Sequence, residues 1–372
     1  MIYDCEDGMT GFLRNVWHMV AWCDEIGQDL MSRRVCGQSL LIFRRVDGSA
    51  VVMDDRCPHR FAPLSLGNRD GDRVACGYHG LVFDAEGHCV GNPFSPKIPS
   101  GAAVRTYPVI EQDSIVWVWM GSAADADQSL IADLPFLRDL PEERLLRGYT
   151  RMRANYEYGT DNLMDLSHIE FVHKGSFAGA GVIFAGSHEV IEEGATLHSN
   201  WWMPDVAAPG HTTGIYPPNM RTDHWLDMRW NAPATMQLTV GATPLGGPRA
   251  DGVVVEQAHV LTAETQDTTH YFWATSATFP LADDEATAGF KALFAKAFDE
   301  EDKPMIEAAY ANLEGADFWD ARPVFLGIDA GGTRARRILQ KMRRLELQST
   351  PAMSHDAGFG ECPPGVGVSP HC

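Results

Sequence analysis

Cys57-Pro58-His59 and, sixteen residues further on, Cys76-Gly77-Tyr78-His79 form the most constraining pattern in the chain, C-x-H followed by C-x2-H. One Cys and one His from each of two loops is the ligand set of a Rieske [2Fe-2S] cluster. Two thiolates hold one iron and two imidazoles the other, and the change from thiolate to neutral imidazole raises the potential to roughly −150 to +300 mV. A structural zinc site groups its ligands as C-x2-4-C and H-x3-5-H instead. A Cys57–Cys76 disulfide would leave both histidines unexplained. Pro58 stiffens the first loop, while Gly77 and Gly80 let backbone N–H groups approach the cluster sulfurs. The segment therefore carries single electrons.

The residues around these loops read as β structure. Residues 38–45 and 50–54 are extended runs about an Asp47-Gly48 turn, and 114–120 (SIVWVWM) alternates bulky apolar side chains with period two. From Gly121 the chain becomes Ala/Asp-rich and then Pro-punctuated, the pattern of a connection. A second unit starts near Leu146 with a helical segment. It continues through strand-like stretches at 235–242, 252–262 and 270–278 and closes with helices from about Asp284. The expected division is a Rieske domain over 1–130, a catalytic domain over 131–347 and a disordered Pro/Gly-rich tail over 348–372.

Composition agrees with a cytoplasmic protein. A length of 372 residues accommodates two cores. Beyond Cys57 and Cys76, the other six of the eight cysteines show no paired spacing. No stretch of about 18 apolar residues is present to span a bilayer, and the acidic N-terminus does not read as a signal peptide. A net charge of −20 disfavours nucleic acid.

A second metal constellation lies in the segment from Asp161 to His173, DNLMDLSHIEFVH. His168 and His173 are five residues apart, which in a regular helix separates the two rings by roughly 140°. Sharing a metal requires a bulge or a helix end between them. Asp165, three residues before His168, is placed to accept a hydrogen bond from that ring. Taken alone, the pair is two satisfied histidines on a half-buried helix. An electron carrier in the same chain, however, needs an acceptor. Further on, Phe290, Phe294, Ala297, Phe298, Met305 and Ile306 recur at helical spacing, and Asp302 falls on their stripe. A carboxylate on a buried face is costly unless paired or metal-bound. Glu301 lies close to the same stripe, and with Pro304 interrupting the helix the periodicity does not separate the two acids. Two imidazoles and one carboxylate would form a facial triad that leaves positions on Fe(II) open for O2.

CPHRFAPLSLG, CGYHGLVFD, DNLMDLSHIEFVH, EQAHVLTAETQDTTHYFW and EEDKPMIEA together resemble the oxygenase component of Rieske non-haem iron oxygenases, in the vanillate and dicamba O-demethylase branch, over about residues 10–345. The resemblance implies an α+β chain, an all-β Rieske domain followed by a helix-grip catalytic domain of antiparallel sheet and helices. It implies cluster ligands Cys57, His59, Cys76 and His79, iron ligands His168, His173 and Asp302, and catalytic Asn162 and Asp165. It further implies a head-to-tail homotrimer in which electrons leave through His79, cross to Asp165 and reach His168 of the neighbouring subunit. A reductase carrying flavin and its own [2Fe-2S] centre would supply those electrons from NADH. The reaction implied is oxidative O-demethylation or methyl hydroxylation of a small aromatic. N-demethylation, ring or alicyclic hydroxylation, or an electron carrier with a non-catalytic binding domain are the alternatives.

Substrate contacts are less sharply marked. Asn231 and His259 are polar residues within apolar strand-like runs and are candidates for pocket contacts, although a structural role suits each equally. Trp201, Trp202 and Trp230 read as core. No arginine stands out as a carboxylate clamp, and the Arg-rich segment 334–344 reads as the polar side of a closing helix whose apolar side is Ile338, Met342 and Leu345.

Overall fold

A computed structural model describes residues 11–349 except 175, 178–180, 218 and 283. The tail expected over 348–372 falls, apart from its first two residues, outside the described residues. The N-terminal part is built from three small antiparallel sheets. Trp17–Trp22, Ile115–Trp119 and Val109–Gln112 make one, and Met31–Val35, Gln38–Arg44 and Ala50–Asp54 a second. The third, of Asn68–Asp70, Arg73–Ala75, Val82–Phe83 and Cys89–Gly91, carries the Cys76 loop between its second and third strands. The period-two run expected over 114–120 is fully buried along Ile115–Trp119, because both of its faces are covered.

The C-terminal part is a seven-stranded antiparallel sheet in the order Leu145–Met152, Thr269–Ser276, Val253–Ala263, Thr235–Pro244, Arg221–Asn231, Thr196–Ala207, Ser187–Glu193. The last six strands in that order run as a meander and the first closes the far edge. The helical segment expected at its start is a strand. Leu145–Met152 pairs residue for residue with Thr269–Ser276, a long-range partner that local propensity does not reveal. Ser187–Glu193, Thr196–Ala207 and Arg221–Asn231 carry many polar residues, which masks them in the sequence; the first is largely exposed at the sheet edge, and the other two combine buried with half-buried positions.

The helices Tyr156–Met164, Glu285–Ala295, Lys303–Ala311 and Ala330–Ser349 complete the C-terminal part, and its main core lies between sheet and helices. Register fixes which residues face that core. Gly148, Trp273, His259, Met236, Trp230 and Leu197 stand opposite one another in one row across six strands. Gly148 is required there, because a Cβ would run into the Trp273 indole.

The Pro-punctuated stretch after Gly121 is not a solvated linker. Ile131, Leu134, Phe136 and Leu137 are buried with Trp17, Trp22 and Trp119 from the first sheet and with Ala258, Val260 and Phe272 from the large one. Backbone bonds Cys36 N→Ala263 O (2.8 Å) and Gly37 N→Glu264 O (2.9 Å) cross the same boundary. Arg336 and Arg343 also depart from the expectation of a polar helix side. Arg336 is only 4% exposed and is bonded to Glu157 and Asp161, and Arg343 reaches Tyr156 and Glu157. Leu345, expected on the apolar side, is 55% exposed.

Candidate metal centres

The two cluster loops fold as copies of one turn. Phe61 N–H donates to Cys57 O and Cys57 N–H to Ala62 O; Gly80 N–H donates to Cys76 O and Cys76 N–H to Leu81 O, all at 2.8–2.9 Å. Each turn needs a left-handed residue four positions after its cysteine, supplied by Gly80 (φ 72°) and by Phe61 (φ 62°). Cys57 and Cys76 are buried, at 2% and 3% exposure. Burial and the neighbouring Cys76 thiol push the Cys57 pKa up, the behaviour of two sulfurs that share one site. The His59 and His79 rings lie 4.5 Å apart, and His79 Nδ1 is buried with no hydrogen-bond partner. Two close thiols and two close imidazoles, one with an orphaned buried nitrogen, fit a [2Fe-2S] cluster.

The second site is assembled from two distant segments. The Tyr156–Met164 helix ends at Asp165, a tight Leu166–His168 turn follows, and the short Ile169–Val172 helix is capped by His173. This break places the His168 and His173 rings 5.3 Å apart. The partner segment is a π-helical turn over Lys296–Asp302 that continues into Lys303–Ala311. In a regular helix, consecutive side chains diverge by about 100°. The widened turn lets both acids reach one ring: Asp302 Oδ2 lies 3.2 Å from His173 Nε2, and Glu301 Oε2 lies 2.8 Å from His173 Nδ1. The shifted phase also leaves Met305, expected on the buried stripe, 59% exposed.

Asp302 Oδ1 is 3.4 Å from His168 Nε2, and one ligand atom from each of His168, His173 and Asp302 lies within 4.8 Å of the others. Three ligands about 2.1 Å from one ion and mutually cis sit roughly 3 Å apart, so the set fits a divalent metal. Behind them, His168 Nδ1 donates to Asp165 O (2.5 Å) and His173 Nδ1 to Glu301 Oε2. Both Nε2 lone pairs then point to the centre. Glu301 is steadied in turn by Ser176 Oγ at 2.5 Å. The Asp165 carboxylate does not accept from His168; the Ser167 N–H (3.0 Å) and hydroxyl (2.6 Å) occupy it, and the backbone carbonyl does that work. Asn162 Nδ2 donates to Asp302 Oδ1 at 3.3 Å. Burial opposes ionisation of Asp302, but the hydrogen bonds and charges of His168 and His173 outweigh it and hold the acid well below the usual carboxylate range. Burial alone would depress His173, yet Asp302 and Glu301 raise its pKa.

Glu301 entered the sequence reading only as a rival ligand. Its role behind His173, and that of Ser176, depend on the π turn, which no local signal announces.

Aromatic rings connect this site to the sheet. Phe177 lies 5.8 Å from His173 and 5.2 Å from Phe294, and Phe298 lies 5.1 Å from Trp273 and 5.7 Å from His259. His259 Nδ1 bonds the Tyr271 hydroxyl at 2.8 Å. Asn231 is not with it. In register with Thr196 and Thr235 it alternates onto the opposite face, where its amide donates to Thr196 Oγ1 at 2.8 Å. Trp201 and Trp230 are in the main core, whereas Trp202 stacks on Trp225 on the other face.

Residues 16–108 match the Rieske [2Fe-2S] domain, and residues 152–345 match the vanillate O-demethylase oxygenase C-terminal domain. The chain belongs to the Rieske non-haem iron oxygenases. It is 37% identical to the oxygenase component of chloroacetanilide N-alkylformylase from Rhizorhabdus wittichii, over 90% of this chain and 97% of that one. It is 33% identical to the dicamba O-demethylase oxygenase component of Stenotrophomonas maltophilia, over 90% and 99%. A crystal structure of dicamba monooxygenase bound to 3,6-dichlorosalicylic acid superposes with a TM-score of 0.84 at 32% identity, covering 91% of this chain and 99% of that one. The protein is thus the oxygenase component of a multicomponent monooxygenase. It uses a Rieske cluster and a mononuclear iron and draws on NADH through a reductase partner. Among the described residues no helix is long and apolar enough to cross a membrane.

Proposed function

We propose that this Rieske non-haem iron oxygenase removes an O- or N-linked alkyl group from a small aromatic compound by hydroxylating the carbon next to the heteroatom. The observation that carries the reading is the buried His168–His173–Asp302 cluster, with both histidines oriented from behind, in a chain that also holds a Rieske cluster. An O-demethylase and an N-alkylformylase both stand among the relatives by name. Bound Fe(II) supplies the oxygen-activating chemistry, and the protein's part is ligation and placement. His168 and His173 present Nε2 because Asp165 O and Glu301 hold their Nδ1 protons, and Asn162 orients the Asp302 carboxylate by donating to its Oδ1, the oxygen that faces His168. The sheet and the Phe177–Phe294–Phe298 wall exclude water from the reacting carbon. Hydroxylation of a methoxy carbon gives a hemiacetal that collapses to a phenol and formaldehyde, while the second oxygen atom leaves as water.

In this reading Cys57, His59, Cys76 and His79 hold the cluster, His79 is the electron exit, and Asp165 receives electrons from the neighbouring subunit of a cytoplasmic homotrimer. The reductase carries flavin and a ferredoxin-type [2Fe-2S] centre. The exposed apolar residues beside the cluster, Phe61, Leu66, Tyr78 and Phe94, each 61–77% exposed, support a docking face there.

The test reconstitutes the loaded protein with a reductase and NADH and assays formaldehyde across methoxyaromatics and N-methyl compounds. Release from either class is expected. Oxygen uptake on other substrates with no aldehyde from any of these would point to ring or alicyclic hydroxylation instead.

A further inference from the structure

The Tyr156–Met164 helix ends where the iron site begins, so whatever fixes that end also fixes Asp165 and His168. The last four carbonyls of a helix find no donor within its regular ladder. Asp165 N–H serves two of them here, Asp161 O at 3.1 Å and Asn162 O at 3.3 Å. Met164 is fully buried, and its carbonyl takes a hydrogen from the large sheet instead: the Ser199 hydroxyl donates to Met164 O at 2.9 Å.

Ser199 is itself fully buried, and a hydroxyl has one proton to give. With that proton on Met164 O, the 2.9 Å contact between Ser199 Oγ and His188 Nε2 is a donation from the ring. Burial holds the His188 pKa below its ordinary value against the opposing charges of Asp165 and Glu189, and the one proton of the neutral ring then sits on Nε2. Strand pairing brings these groups together. His188 stands opposite Trp201, and Ser199, opposite Val190, is its diagonal neighbour on the same face. The His188 ring is also stacked on the Trp201 indole, with centres 4.6 Å apart and planes at 17°, which fixes the direction of its N–H.

A line of bonds therefore runs from the edge strand to a metal ligand. His188 Nε2–H donates to Ser199 Oγ, Ser199 O–H donates to Met164 O, and one residue on Asp165 O accepts from His168 Nδ1. In a water-poor interior each donor polarises and strengthens the next bond.

We propose that Ser199 and His188 are positioning residues of the iron centre: Ser199 pins the helix end that presents Asp165 and His168, and His188 holds the Ser199 hydroxyl in the orientation that does so. This rests on the iron-centre reading of His168, His173 and Asp302 and is independent of the substrate.

The test uses the full chain loaded with cluster and Fe(II), without substrate. It reads the high-spin EPR signal of the nitric oxide adduct, whose rhombicity follows ligand geometry, and Fe(II) affinity by competition with a chelator. Ser199→Ala should alter the signal and weaken Fe(II) roughly three- to tenfold, the value of one neutral hydrogen bond, with the Rieske EPR signal unchanged. His188→Phe keeps the stack on Trp201 and loses the donor, and it should move both readouts in the same direction. His188→Gln, whose amide can donate to Ser199, should restore them. Because His188 acts through Ser199, the Ser199→Ala/His188→Phe double variant should match Ser199→Ala alone. Losses that add in the double variant, a Gln variant no better than Phe, or wild-type signal and affinity in both single variants would overturn the relay. If Ser199→Ala does not accumulate as folded protein, the His188→Phe and His188→Gln pair decides alone. A loaded wild-type protein with no nitric oxide signal would instead overturn the iron-centre reading.

Discussion

Asp302 shows how one residue's chemistry follows from its surroundings. Its carboxylate is 4% exposed between two imidazoles, a position tolerable only because those rings, and a metal when bound, offset its burial. Asp302→Ala is expected to lower iron from about three to about two per chain, with the Rieske absorption and its EPR signal retained. Loss of the cluster signal as well would show that Asp302 serves folding instead. Glu301→Gln keeps a hydrogen bond to His173 Nδ1 but removes the charge behind it. Mononuclear iron affinity should fall about 10- to 100-fold, the usual cost of losing such a partner, measured by competition with a chelator. At this scale the residue types that the structure gathers here, two histidines and an acid, were legible in the sequence. The choice between Glu301 and Asp302 was not, because the two acids are neighbours in the chain and only the π turn assigns them to opposite sides of one imidazole.

Elements are held in place by pairings invisible to local sequence. The Tyr156–Met164 helix, which leads into Asp165 and His168, is fastened to the closing Ala330–Ser349 helix by Arg336, bonded to Glu157 Oε2 at 3.0 Å and Asp161 Oδ2 at 2.7 Å. Removing one partner of a buried ionic group leaves the others uncompensated, so Arg336→Ala should destabilise the protein by about 3–5 kcal/mol. Arg336→Lys should recover part of that loss and not all, since an ammonium lacks the planar fork. Denaturant unfolding of the three proteins checks both statements, and an unchanged midpoint in Arg336→Ala would refute them. Periodicity gave the closing helices and the strands at 235–242, 252–262 and 270–278 because their buried faces are apolar. It missed Leu145–Met152, whose LLRGYTRM gives no clean alternation, and it placed Arg336 on a solvated side because a buried arginine has no apolar signature.

For the whole molecule, buried neutral histidines set part of the response to acid. His18 and His259 are 4% and 1% exposed, and desolvation lowers each to about 4. Between pH 6.5 and about 4 the unfolded chain binds a proton on each that the folded chain does not. Stability from these residues is therefore whole above pH 6.5 and is lost as pH falls. The contribution is on the order of 2 kcal/mol per residue between pH 6.5 and 5. His18→Gln should flatten the stability profile in that window, and equal slopes for variant and wild type would contradict the assignment. His18 Nε2 donates to Leu13 O at 3.0 Å, a bond a glutamine amide can replace.

By itself the sequence determined the cluster chemistry: C-x-H and C-x2-H admit few cofactors, because ligand atoms are properties of residue types, and that electron carrier is what turned two histidines and a downstream acid into a candidate metal site. Only the tertiary structure decided the geometry. Whether Asn231 and His259 share a face depends on strand register, and whether the stretch after Gly121 is a tether or part of a core depends on what packs against it. Register and packing join residues a hundred or more positions apart, and such distances leave no local trace in hydrophobic pattern.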